Sequence, residues 1–223
     1  MHSERSRVQK LRLYFDQLAA GVSSKPLAAV NRAVYVGDGT PLLRGAGVAV
    51  ALCANCAWQG SPAIEVTSGP SGARLLRWEL SSGQPALLEG AGVESQLAIE
   101  ETLDLAVDAR YLMRCDRVNF PSGGVALTHT HQGPGIRCLQ SGRIRVMTQG
   151  RDFWVEAGGA WFETGTDPVY AQTWPDSPSH FIRVMILPVA LRGKSSIQYV
   201  RPEDRLRPKD QTYQIFADEP IDL

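Results

Sequence analysis

Residues 123–142 read GGVALTHTHQGPGIRCLQSG, Gly123 through Gly142. His129 and His131 stand two apart in an apolar, β-prone run, and alternation along a strand turns residues i and i+2 to one face. Both imidazoles therefore point the same way. On the interior of a barrel such a pair is half of a metal site, since neutral imidazole suits divalent transition metals. Gly133-Pro134-Gly135 then marks a turn, and the following residues read as a returning strand.

Outward from this hairpin the pattern continues. Segments 111–120, 126–131, 136–140, 143–148, 152–155, 160–163, 169–174 and 181–187 are short β-prone runs separated by turn residues. Weaker candidates lie at 47–52, 63–67, 74–80 and 97–105, with 47–58 also readable as a helix by composition. So many strands without helical patterns between them predict an all-β sandwich or closed barrel. Residues 30–105 are either extra strands extending the sheets of the second half or a degenerate duplicate of it. Residues 189–223 read as a tail with a strand, a charged Pro-bounded loop and a final edge strand, which hints at packing on a second copy and a homodimer. Val8, Leu11, Tyr14, Phe15 and Leu18 recur at three- and four-residue spacing, with Arg5, Arg7, Lys10 and Arg12 as a polar face and Gly21 as a stop. That spacing predicts an N-terminal helix and linker over 1–29.

The 223 residues carry 23 basic and 23 acidic side chains, a formal net charge of zero, and no Lys/Arg cluster of the kind phosphate binding requires. Nucleic acid is excluded as the expected partner in favour of a small molecule. No apolar run approaches the roughly 20 residues that span a bilayer, and the opening lacks the apolar core of a signal peptide. No membrane association and a cytoplasmic location are expected. Four cysteines are too few for a disulfide scaffold, and Cys53-x-x-Cys56 lacks the second pair of a zinc ribbon; all four are expected to be small buried thiols.

The stretch quoted above resembles the first motif of the cupin superfamily, GxxxxxHxHxxxxExxxxxxG: Gly123 leads, His129 and His131 follow in register, and Gly142 closes it. The preceding RVNFPSGG is similar to the strand and turn that lead into that motif. The acidic position falls on Gly135 or Ile136. The second motif, GxxxxxPxGxxHxxxN, is matched loosely by residues 157–172: Gly165 takes the central glycine, Glu163 replaces the proline, Pro168 or Val169 the histidine, and Gln172 the asparagine. The following HFIRVMILP resembles the last barrel strand. The resemblance implies a cupin-type double-stranded β-helix, or jelly roll, with its recognisable core at 111–188 inside a domain spanning 30–223.

The resemblance further implies one divalent transition metal (zinc, iron, nickel or manganese) on His129 and His131, and a small-molecule enzyme such as a dioxygenase, isomerase or decarboxylase acting on a polar or carboxylate-bearing substrate. The missing acidic residue and second-motif histidine leave open a non-catalytic binding or sensor module. His180 beside the 175–179 turn lies too far along the sheet to be the third ligand, and His2 precedes the fold. Glu163 is the best remaining donor, with Gln132 as another. If position 135 faces inward, Arg137 does too, and a buried guanidinium needs a carboxylate, from Glu163 or from a substrate. Counting from Pro168 turns Tyr170 and Gln172 inward as substrate contacts; the opposite register turns Val169 and Ala171 inward and makes the cavity apolar.

Overall fold

The opening segment is a strand, not the expected helix. In the computed structural model, which describes residues 6–223, β1 (Ser6–Leu18) lies between β7 (Ala73–Ser81) and β8 (Val93–Ala106), antiparallel to both. With both faces covered, Leu11, Arg12, Leu13 and Tyr14 are all buried, so the two-residue alternation that would have announced a strand is missing. Of the polar face assigned to a helix, Arg12 is interior, whereas Arg7 is exposed and Lys10 half-buried. Arg12 pairs with Glu100 at 2.6 Å, and Asp16 accepts from Arg77 at 2.6 Å. Ion pairing lets these charges be buried.

The chain forms two compact units, 6–109 with 221–223, and 110–220. In the first, β2 (Asn31–Gly39) and β5 (Ala57–Gly60) complete a five-stranded sheet of order β5-β2-β7-β1-β8; β3 (Leu42–Gly45), β4 (Val48–Ala51) and β6 (Ile64–Thr67) form a second sheet, β4-β3-β6. Leu18, Val34, Val36 and Leu75 of one sheet pack with Leu43, Ile64 and Val66 of the other. Segment 47–58 is thus strand, turn and strand. Cys53 and Cys56, in the β4–β5 turn with Cα atoms 5.5 Å apart, form a disulfide. Of the four expected thiols, Cys115 and Cys138 lie outside any disulfide and are buried. The turn keeps the other two at the surface and brings them together, with the Cys56 amide donating to the Cys53 carbonyl at 3.1 Å.

The second unit holds β9 (Tyr111–Phe120), β10 (Val125–His131), β11 (Gly135–Ser141), β12 (Arg143–Thr148), β13 (Arg151–Glu156), β14 (Ala160–Glu163), β15 (Val169–Thr173), β16 (Ser179–Pro188), β17 (Ile197–Tyr199) and β18 (Thr212–Ile221). They form two five-stranded sheets, β13-β12-β15-β10-β17 and β14-β11-β16-β9-β18. The tail segment 212–221 therefore edges its own unit's sheet. Val118, Phe120, Leu139, Trp161 and Phe181 of one sheet meet Ala126, Ile144, Val146, Val169 and Ala171 of the other in a continuous core. The β12–β13 turn needs two residues at positive φ, met by Gln149 at 52° and Gly150 at 68°. Matching β1, β2, β5, β7 and β8 with β9, β11, β14, β16 and β18 gives both units one strand order in this sheet.

Candidate functional site

The histidine pair depends on an irregularity in β10. Against β15, Ala126 faces Ala171 and His129 faces Val169, with a register shift between. Strict alternation would put Ala126 and His129 on opposite faces; the bulge restores both to the interior. His129 and His131 are 5% and 4% exposed, their rings edge-to-face with centroids 4.9 Å apart. His129 Nδ1 donates to the Leu127 carbonyl at 2.7 Å. His131 Nδ1 meets Ser196 Oγ at 3.1 Å, and Arg183 Nη1, which can only donate, lies 3.5 Å from His131 Nε2. Each ring therefore carries its proton on Nδ1 and leaves Nε2 bare.

Two buried guanidiniums and two carboxylates surround the pair. Arg183 forms a two-pronged bond with Asp116, Nε to Oδ1 at 2.7 Å and Nη2 to Oδ2 at 3.0 Å. Arg137, 1% exposed, donates from Nη1 to the Gly135 carbonyl at 2.5 Å and sets Nη2 2.7 Å from Glu163 Oε2. The second contact is a buried ion pair. Glu163 also accepts from Trp161 Nε1 at 2.8 Å, and its Oε2 is 3.8 Å from His131 Nε2. Gly135 and Glu163 are direct cross-strand partners, so a carboxylate from β14 stands beside the position left without one in β11.

Burial, foremost, lowers the pKa of both imidazoles. His131 falls further because Arg183, Arg137 and His129 add to the desolvation, whereas the Leu127 bond and Glu163 partly support the cationic form of His129. Both rings are neutral near pH 7. Burial also pushes the Arg137 pKa down to about 10, against support from Glu163, so it stays cationic.

These groups close one end of a cavity of about 40 Å3 between the sheets, whose remaining walls include Val118, Phe120, Val169, Ala171 and Phe181. Such a space holds a few waters or a ligand of few heavy atoms. His129, His131, Arg137 and Glu163 thus come together. Tyr170 and Gln172 do not join them. β15 buries Val169 and Ala171, turning Tyr170 and Gln172 to the other face, where they contact each other at 3.5 Å. The apolar register holds because β15 pairs with β12 and β10 across the core. Gln132 is half-buried in the turn and lies outside the cavity wall, its backbone amide bonded to the Ser196 carbonyl. His180 is bonded through Nδ1 to Ser141 Oγ at 2.6 Å, away from the site, and His2 lies outside the described residues.

The sequence reading missed Arg183, Asp116, Ser196 and Gln211. A signal existed for the first: Arg183 is the single charge within the apolar run Phe181 to Leu187 and shares the parity of Phe181. Ser196 and Gln211 arrive from the distant tail with no local signature.

The donor set does not fit a metal held by three protein ligands. Two imidazoles offer bare Nε2 atoms, but among the described residues no group of three or more His, Cys, Asp or Glu is placed to hold an ion. Glu163 is committed to Trp161 and Arg137, and the Arg183 guanidinium stands where a cation on His131 would sit.

No family model matches the sequence, and no curated protein does. Solved structures match it in fold. A deletion mutant of Bacillus subtilis oxalate decarboxylase superposes with a TM-score of 0.67 at 11% identity, over 92% of this chain and 80% of that one. AerE from Microcystis aeruginosa gives 0.57 at 12% identity, over 80% and 88%. A mutant of salicylate 1,2-dioxygenase from Pseudoaminobacter salicylatoxidans gives 0.55 at 11% identity, over 79% and 70%.

Proposed function

The chain has the cupin fold, and on that premise we propose that its second unit binds a small carboxylate-bearing molecule between the sheets. One observation carries the reading: two buried guanidiniums, Arg137 and Arg183, line one cavity with two buried imidazoles and apolar side chains. A buried cation is costly, and an anionic ligand beside two of them offsets part of that cost. A carboxylate also gains from guanidinium geometry, because Arg137 and Arg183 both present planar donor forks to the same space. The apolar walls take the carbon skeleton.

Calorimetric titration with a panel of short mono- and dicarboxylates tests this. A charge-assisted hydrogen bond contributes roughly 1.5–3 kcal/mol, and 1.4 kcal/mol is a factor of ten, so Arg137→Leu weakens carboxylate binding about tenfold or more. If no acid binds the wild type more tightly than its amide analogue, the proposal fails.

A second reading, a metal-dependent enzyme of dioxygenase, isomerase or decarboxylase type, is favoured by one feature: tethering of each Nδ1 is how proteins orient imidazoles for a metal. It requires Glu163 to leave Arg137. Close to one metal per chain in tag-free protein, lost in His129→Ala, would establish that reading over simple binding. The shared strand order of the two units supports the degenerate-copy reading of the first half, with the copy beginning at β1 rather than at residue 30.

A further inference from the structure

The β4–β5 turn places a disulfide where opening it leaves the local fold its other supports. Cys53 and Cys56 stand three apart in sequence, and a cross-link that closes so short a loop removes little entropy from the unfolded chain. The shape of the turn is set by bonds that do not involve sulfur. Asn55 takes left-handed backbone at φ 60°, the conformation a type II turn requires at its third residue, and the Cys56 amide donates to the Cys53 carbonyl at 3.1 Å. Strand β2 clamps the turn. The Val36 amide donates to the Cys56 carbonyl and the Asn55 amide to the Val36 carbonyl, both at 2.9 Å, while the hydroxyl of buried Tyr35 donates to Asn55 Oδ1 at 2.8 Å. None of these bonds depends on the sulfurs, so the reduced thiols stay within reach of each other, at the Cα separation of 5.5 Å that a disulfide spans.

The turn is also open to a partner. β4 and β5 are edge strands of their two sheets, and Cys53, Ala54 and Asn55 are exposed while Cys56 is half-buried. Cys115 and Cys138 are buried instead, and burial, with Asp116 nearby, pushes the Cys115 thiol pKa well above its usual value. We propose that Cys53 and Cys56 form a reversible redox site that exchanges with an external dithiol. A thiolate of the dithiol attacks Cys53 Sγ, the bond to Cys56 breaks, and Cys56 leaves as a thiolate. The second thiolate of the dithiol then attacks its own sulfur in the mixed disulfide and releases Cys53. Two electrons pass to the pair, the dithiol becomes an internal disulfide, and the two protons its thiols gave up are taken by Cys53 and Cys56.

The test equilibrates the folded protein in graded mixtures of reduced and oxidised dithiothreitol, followed by acid quenching, alkylation and peptide mass mapping. The Cys53–Cys56 peptide is expected to pass wholly from disulfide to dithiol and back, with the same circular dichroism and thermal midpoint in both end states. A bond that opens only when the protein unfolds, a thermal midpoint that drops on reduction, or a pair that does not re-form its bond on oxidation would each make the cross-link purely structural or absent and overturn the proposal. The point of attack is read separately with oxidised glutathione. Cys56→Ser, which keeps the exposed Cys53, should take up glutathione about tenfold or more faster than Cys53→Ser, because access governs the exchange rate. Equal rates, or faster uptake on Cys56, would overturn the assignment of Cys53 as the attacked sulfur. Should a serine variant fail to fold, the dithiothreitol titration still decides, since it needs no substitution.

Discussion

At Gly135 a side chain has nowhere to go. A Cβ there would come within 2.4 Å of the Val184 carbonyl and 2.8 Å of Met185 Cγ. The acidic residue of the first cupin motif is thus sterically excluded in this register as well as absent. Gly135→Glu is expected to destabilise the protein by about 2 kcal/mol or more through overpacking against β16 without creating a metal ligand; denaturant unfolding and elemental analysis read the two effects. The nearby Arg183–Asp116 pair gives a complementary test. Removing one partner leaves a buried charge unpaired, which costs about 3–5 kcal/mol, so Asp116→Ala should lower stability by that order. Double replacement by apolar residues should lose much less. If Asp116→Ala unfolds at the wild-type denaturant midpoint, the buried ion pair is wrong.

Among the elements, the loop joining β14 to β15 holds the site's backbone in place. The Gly165 carbonyl accepts from the His131 amide at 2.7 Å. Gly165 sits at φ 89°, and a Cβ on it would lie 2.2 Å from the Gly133 carbonyl oxygen. Both the dihedral and the contact demand glycine, the dihedral alone being worth about 1–3 kcal/mol. Gly165→Ala is therefore expected to lose at least that much stability and also to weaken ligand binding, because the loop must move off β10. Gly150, equally at positive φ but with open space around it, should lose stability on substitution with no effect on binding. Equal binding losses at the two glycines would show that the Gly165 contact does not position His131.

Over the whole molecule, the charge buried between the sheets differs in kind between the two units. In the first, Arg77 bridges Asp16 and Glu79, and Arg32 joins Glu79, with no imidazole among the described residues. Ser23 and Leu27 bridge to β6 much as β10 pairs with β15, but that segment carries no histidine. The acid response of the buried imidazoles therefore belongs to the second unit. Both histidines have folded pKa values below the unfolded value near 6.5. Above that value both states are neutral and stability is unaffected. As pH falls below it, the unfolded chain takes up protons that the folded one refuses, and stability declines until the lowered folded values are reached. Denaturant midpoints should thus fall between pH 7.5 and pH 5, and His129→Gln with His131→Gln should flatten the dependence. An unchanged slope in the double variant would contradict the buried, neutral imidazoles.

The sequence alone settled the second unit's architecture and the shared face of His129 and His131. Turn residues there punctuate strands one sheet-width long, and two-residue spacing survives any strand packing. Strands 111–120, 143–148 and 160–163 appear in the structure with those bounds. β1 was illegible because it is covered on both faces and carries paired charges inside, so its pattern lost the period of a strand and acquired one resembling a helix. Which register β15 takes, and hence whether Tyr170 or Val169 faces the cavity, was decided only by its pairing across the core. The same holds for the site's outer groups: Arg183 and Asp116 meet from strands 67 residues apart, and Ser196 and Gln211 arrive from the tail. Contacts at that sequence distance leave no local pattern, because they depend on how the sheets close.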